Sequence, residues 1–380
     1  MKRTLTFMLA VLMAVSLLTG CIGTTVVVDK DQTNESVDAE AEATAEATAE
    51  TTVEADAETE ATADAESSAT EELAEGELKL GLAIAPSISG SKSATAEENG
   101  KADFDVTVVA VLVDGKGIIR DCIIDSVGAS ANFDATGKPV DFDPEKAILT
   151  KNELGENYGM KAYAGAKYEW NEQAAALADF AVGKTTQELK TGAVNEAGKA
   201  ADADLASVAT IYIGSYVSTI EKAVANAKKL GAADGDELKL AVINAMSAAA
   251  VGEKDGSVEL TVDAAAVSMN GETITSCYID ALQAKVSFDA AGNITNDVSA
   301  APQTKNELGE GYGMKAYAGA KYEWNEQAAN FASYITGKTA ADVAGIAITE
   351  TTKPADGTDL AASVTITIGG FQALIAKIAQ

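Results

Sequence analysis

Any proton transfer in this chain of 380 residues must come from carboxylates, tyrosines or lysines, because the sequence contains no histidine. That absence excludes Ser-His-Asp and Cys-His catalysis and histidine-ligated metals. The densest group of usable side chains lies in a stretch written twice. TKNELGENYGMKAYAGAKYEWNEQAA runs over 150–175 and returns over 304–329 with one change, Asn157 to Gly311. Tyr158, Tyr163, Tyr168 and Trp170 belong to the first copy, and Tyr312, Tyr317, Tyr322 and Trp324 to the second. These are eight of twenty aromatic residues, where an even spread would place about three. Tyr158, Tyr163, Tyr312 and Tyr317 stand among glycines (Gly155, Gly159 and Gly165 in the first copy) that permit close backbone approach to a ligand. Tyrosines there could hold a planar ring or a sugar, offering a π face and a hydroxyl. A structural reading stands beside this one, with Trp as helix core and Tyr as a corner. A recent partial gene conversion would also leave two near-identical copies.

The acids form no constellation. Glu153, Glu156, Glu169 and Glu172 recur in the second copy, yet no spacing fixes a pair across a cleft. Glu169 and Glu172, three apart at a helix start, are expected on a solvated face. GKTT at Gly183 lacks the glycine spacing of a phosphate-binding loop. No catalytic or metal-ligating residue is assigned.

The elements that must position these residues are themselves duplicated. DFDVTVVAVLVDGKGIIRDCIIDSV matches SVELTVDAAAVSMNGETITSCYIDAL, and FAVGKTTQEL matches YITGKTAADV, about 155 residues apart throughout. That period exceeds solenoid repeats, so two tandem domains are expected, 78–231 and 232–380, meeting near Gly231–Gly235. Each reads as α+β, an antiparallel sheet with helices on one face. Val106–Val113 is a β-branched strand ending at Asp114-Gly115, a second strand passes through Cys122 and a third lies around Phe133. Asn270-Gly271 suits a type I′ turn. Trp170, Ala174, Leu177 and Ala181 share one helical face, as do Trp324, Ala328, Phe331 and Ile335. Gly183 and Gly337 can end those helices, and Thr185/Glu188 and Thr339/Asp342 have capping-box spacing. The β-rich ATIYIG then leads into an amphipathic run. Cys122 and Cys277 occupy equivalent apolar places and are expected as buried free thiols, with an inter-repeat disulfide or a redox role as the alternatives.

DLASVAT at 204–210 resembles the D-x-x-S-G-A-T signature of the extracytosolic FMN-binding domain family. Asp204, Ser207, Ala209 and Thr210 match, with Val208 in place of glycine; in the second repeat Asp359 and Thr365 match, with Ala362, Ser363 and Val364 between. The hairpin VLVDGKGI is similar to that family's V-x-V-x-x-D-G-K-I. The resemblance implies FMN esterified through its phosphate to Thr210, and to Thr365, by a flavin transferase. It further implies electron exchange with a membrane reductase. Non-covalent flavin binding is the variant open to a degenerate signature, since valine disfavours the positive φ that glycine permits.

The N-terminus places the chain. Lys2 and Arg3 precede an apolar run, Leu5–Leu18, and then Leu18-Thr19-Gly20-Cys21. Residues 1–20 read as a signal peptide, and the last four resemble the lipobox of bacterial lipoproteins. That implies cleavage before Cys21, its acylation, and localisation on the extracytoplasmic face of a cell membrane. The run is shorter than the ~20 residues a spanning helix needs. Residues 29–77 carry about 18 acids and one lysine without an aromatic, too little apolar surface to fold, so 21–77 are expected to form a lipidated N-terminus and a disordered acidic tether. Of the formal charge of −30, about −15 remains on the folded part. Such a surface argues against nucleic acid. The functional expectation is a lipid-anchored protein with two FMN-binding-like domains carrying electrons at the cell surface. The alternative is a non-catalytic surface binding module whose Tyr/Trp loop holds a sugar, a peptide or a cell-wall polymer.

Overall fold

The β-branched run Val106–Val113 forms the second half of a 14-residue strand, β2 (Gly100–Val113), in a computed structural model that describes residues 73–379. The signal segment, Cys21 and the tether up to residue 72 lie outside the described residues. β2 is flanked by β1 (Lys79–Ser87) and β3 (Ile119–Phe133), with the two-residue β4 (Pro139–Val140) beyond β3, all antiparallel. The second repeat repeats the meander as β5 (Glu237–Ala249), β6 (Gly256–Asn270) and β7 (Thr273–Phe288).

Several elements differ from the sequence reading. The strands expected at Cys122 and Phe133 are one strand of 15 residues. The edge strands β1 and β5 add to those expected; β1 is buried on both faces for most of its length, so it lacks the alternation that marks a half-buried strand. ATIYIG is not a strand. Ala209 and Ile213 are buried in an irregular connection, extended at Ala209 and helical in φ and ψ at Ile213, outside any strand. At the second hairpin Asn270 pairs with Thr273, so Gly271 and Glu272 form the turn. Only Gly271 has positive φ there (60°), which excludes type I′ and matches type II′.

Helices cover one face of each sheet. The first repeat has α1 (Lys151–Leu154), a 3-10 turn (Gly155–Tyr158), α2 (Met160–Ala164), α3 (Trp170–Ala181), α4 (Thr186–Gly192), α5 (Ala203–Val208) and α6 (Gly214–Ala225). The second has α7 (Lys305–Leu308), a 3-10 turn (Gly309–Tyr312), α8 (Met314–Ala318), α9 (Trp324–Ile335), α10 (Ala340–Ala344), a 3-10 turn (Leu360–Ala362) and α11 (Gly369–Ile378). The expected faces of α3 and α9 are buried, both capping boxes form, and Gly183 and Gly337 follow the helices at φ 81° and 82°. Cys122 and Cys277 are buried free thiols in the two separate helix–sheet cores.

The opposite faces of the two sheets pack on each other in a third core, with Phe104, Val106, Val108 and Phe133 meeting Leu260, Val262, Leu282 and Phe288. The layers therefore run helix, sheet, sheet, helix. Equivalent residues meet as they would across a two-fold axis. Phe133 stacks on Phe288 with centroids 4.0 Å apart and planes 6° apart. Val251 N donates to Gly137 O and Ala94 N to Gly292 O, both at 2.8 Å. Lys222 of α6 pairs with Glu307 at 2.6 Å, and Lys377 of α11 pairs with Glu153 at 2.7 Å. This reciprocity is the pattern of an isologous interface, here within one chain.

Candidate functional site

The repeated segment makes largely the same bonds in both copies, and its buried polar residues, Thr150, Lys151, Glu169 and Gln173 in the first copy, anchor it. Thr150 caps α1, its hydroxyl accepting Glu153 N while Glu153 accepts Thr150 N. Asn152 donates its amide N to Asp125 and its side-chain NH₂ to Ile124 O at 2.9 Å; Asn306 does the same with Asp280 and Ile279 O. Burial pushes both aspartates up, Asp280 to about 6, against the hydrogen bonds that favour the anion. Burial also pulls Glu153 and Glu307 upward, but the lysine of the other repeat and the capped threonine outweigh it and hold both low.

Glu169 is not on a solvated face. It is 2 % exposed, and its carboxylate accepts the amides of Met160 at 2.8 Å and Lys161 at 3.0 Å, capping α2; Glu323 does the same for α8. A carboxylate at a helix N-terminus meets the free amides there. Glu172 is exposed and pairs with Lys161 at 2.7 Å. Gly159 ends the 3-10 turn at φ 86°, and a Cβ there would lie 2.6 Å from the Tyr163 ring. Its freedom serves helix termination and ring packing rather than ligand approach.

The aromatic residues divide by exposure. Trp170 and Trp324 are core; Trp170 Nε1 donates to Tyr216 Oη at 3.0 Å, and Trp324 meets Phe371 edge-on. The helix after Thr210 thus packs on the repeated segment, as does the one after Thr365. Tyr163 and Tyr317 are each 91 % exposed, Tyr158 is exposed and Tyr312 half-buried. Lys151 is buried, its Nζ 5.1 Å from the Trp170 ring centroid, 5.6 Å from that of Tyr158 and 3.6 Å from Asp105.

The threonines of the FMN-like signature are exposed in both repeats. Gln173 Oε1 accepts Thr210 N at 2.7 Å, Thr210 Oγ1 at 3.1 Å and Ile211 N at 3.2 Å, and Gln173 Nε2 donates to Tyr168 O. Gln327 holds Thr365 and Ile366 in the same way, at 2.7, 3.2 and 3.2 Å. Asp204 is exposed in α5, and Ser207 Oγ donates to its carbonyl at 2.7 Å. Val208 and Ala209 have negative φ, so this backbone does not need glycine there. Asp359 is exposed at the start of a 3-10 turn where the first repeat has α5. The amides of Ile213 and Gly214, at the start of α6, both donate to Gly198 O. They are engaged within the chain rather than turned to an anion. Among the described contacts none joins Thr210 to Tyr158 or Tyr163.

A cleft of about 370 Å³ opens elsewhere in the first repeat, lined by Asp103, Asp105, Gly128, Ser130, Lys151 and Tyr158 among others. A second, of about 480 Å³, adjoins it and shares Gly128–Ser130, Leu149 and Leu154; Val140, Phe142, Ile148 and Met246 line its apolar part. Gly128 keeps the first cleft open, since nothing lies within 4 Å of a Cβ built on it. In the second repeat Gln283 stands there, within 3.4 Å of Glu259 and 3.5 Å of the Tyr312 hydroxyl. Of the residues singled out from sequence only Tyr158 lines this site. The missed residues come from two strands and a loop distant in sequence, and the one available signal was Gly128 set against Gln283. Among the described residues no group of His, Cys, Asp and Glu has metal-site geometry, and no helix is long and apolar enough to cross a membrane.

No family model, curated protein or solved structure matches this chain.

Proposed function

We propose that this chain is a non-catalytic binding protein displayed on the extracytoplasmic face of a membrane by a lipidated Cys21 and the acidic tether, with its ligand site in the first repeat. The carrying observation is the asymmetry between the repeats: the segment beside the cleft is almost identical in both, yet Gly128 leaves open space beside Tyr158 where Gln283 reaches Glu259 and the Tyr312 hydroxyl. A ligand there would meet the Tyr158 ring, the carboxylates of Asp103 and Asp105 and the hydroxyl of Ser130. These groups suit a polar chain such as a peptide or an oligosaccharide. The test is a titration of the mature chain carrying Cys21→Ser with soluble peptides and cell-wall saccharides, followed by amide chemical shifts. Shifts at Gly128, Ser130 and Tyr158 without shifts at Gln283, Lys285 and Tyr312 are expected. Equal response of both repeats, or response of neither, rejects the assignment. The same Cys21→Ser change should release the protein from membranes.

A second reading, covalent FMN on Thr210 and an electron-carrying role, is favoured by the exposed threonine hydroxyls held alike by Gln173 and Gln327. Co-production with a flavin transferase and weighing of the intact chain decides it. An added FMN mass lost in Thr210→Ala supports the flavin reading, and an unmodified chain without reversible flavin uptake removes it.

A further inference from the structure

The two adjoining clefts lie on either side of one strand edge, and that edge is unpaired. Beyond Asn132, which pairs with Val140, β4 ends, and Asp141 turns away at φ 50°. Lys101, opposite Asn132, directs its own amide and carbonyl to Lys92 on the far side of β2, so the main-chain groups of Asn132 face outward. Strand period two places those of Ser130 and Gly128 outward as well. Among the described residues no hydrogen bond reaches the main chain of Gly128 or Ser130 from that side. The second repeat closes the same edge. There Thr295 N donates to Ser287 O, Asn296 accepts Ser287 N, and Asn296 Nδ2 donates to Lys285 O at 3.0 Å.

We infer that the β3 edge at Gly128–Ser130 is a docking site for an extended peptide that adds as a strand, with basic and apolar side chains alternating along it. Strand addition supplies affinity through main-chain hydrogen bonds and specificity through pockets for alternate side chains. The two clefts have that arrangement. Gly128 and Ser130 pair with Asp105 and Asp103 and so share their face, where the first cleft lies. The second cleft, with Ala129, Ala131, Phe142, Ile148 and Met246, takes the side chains of the other phase. Four carboxylates (Asp103, Asp105, Asp141, Asp143) and two lysines (Lys146, Lys151) line the pair. Asp105 keeps 66 % of its side chain exposed although Lys151 lies beside it. This charge, on a chain of formal charge −30, selects a cationic partner. The 47 % exposure of Leu149 marks the apolar rim.

This inference rests on the binding reading and narrows its ligand. The test uses the mature chain with Cys21→Ser and a capped heptapeptide alternating lysine and valine. Three controls accompany it: the same peptide N-methylated at alternate amides, its scrambled isomer, and a neutral cell-wall oligosaccharide. The alternating peptide should bind one to one and slow hydrogen exchange of the Gly128 and Ser130 amides. N-methylation should weaken it by at least about tenfold, as loss of main-chain bonds requires. Gly128→Gln, which copies the second repeat at a position with free space, should do the same while leaving thermal unfolding unchanged. Binding indifferent to N-methylation, sequence order or Gly128→Gln is non-specific charge attraction and overturns strand addition. Saturable binding of the oligosaccharide alone overturns it too but leaves the first-repeat site standing. Binding of neither probe at Gly128–Ser130 rejects both.

Discussion

Asp280 offers a direct measure of how tightly the repeated segment is pressed onto its sheet. It is 4 % exposed on β7, accepting Ala281 N at 2.8 Å and Asn306 N at 3.0 Å. Burial raises its pKa from 3.8 to about 6. A shift of that size corresponds to about 3 kcal/mol between the protonation states. The folded chain holds the proton that the unfolded chain releases, so the stability contributed by Asp280 is fully present below about pH 4. It is lost as pH rises to about 6 and is level above that. Asp280→Asn keeps an acceptor for both amides and cannot ionise, so the loss should vanish. Urea unfolding followed by the fluorescence of the buried Trp170 and Trp324 reads the effect. The variant should gain on the parent by up to about 3 kcal/mol between about pH 4 and pH 7. Carboxyls held low in the fold, among them Glu153, Glu307, Asp289 and Asp342, lose stability as pH falls, but they do so in both proteins and cancel. Parallel stability curves across that range would refute the reasoning.

Gln173→Leu leaves Thr210 N and Ile211 N without their acceptor and should cost about 1–3 kcal/mol, with faster hydrogen exchange at those two amides; unchanged exchange removes the clamp. Phe288→Ala deletes one half of the ring stack in the shared core and should cost about 3–5 kcal/mol. Expressed separately, 78–231 and 232–380 would each expose their inner sheet face and should associate as dimers, so a monomeric soluble half by light scattering would contradict the shared core. Burial raises the Cys122 thiol and pushes that of Cys277 up to about 12. Native protein should therefore react with a thiol reagent at least about 100-fold more slowly than denatured protein.

The sequence by itself determined what depends on local period and local chemistry. The faces of α3 and α9, both capping boxes, the helix-ending glycines and the α+β class were legible because each rests on side chains a few residues apart, and the duplication because the two copies can be compared letter by letter. The tertiary structure decided whatever depends on which distant strands meet. Glu169 has the spacing of a solvated helix face, yet it is buried because α2 folds back and presents two free amides to it. The near-identity of the two copies has its counterpart in bonds to other parts of the chain, from Gln173 to the Thr210 loop, from Asn152 to β3, and from Glu153 to Lys377 of the other repeat. No periodicity announces these bonds, since their partners lie far along the chain. The cleft at Gly128 was hidden for the same reason. A glycine in a strand reads as a weak point, and it becomes an opening only when α1 and Tyr158 stand over it and the neighbouring strand ends four residues away.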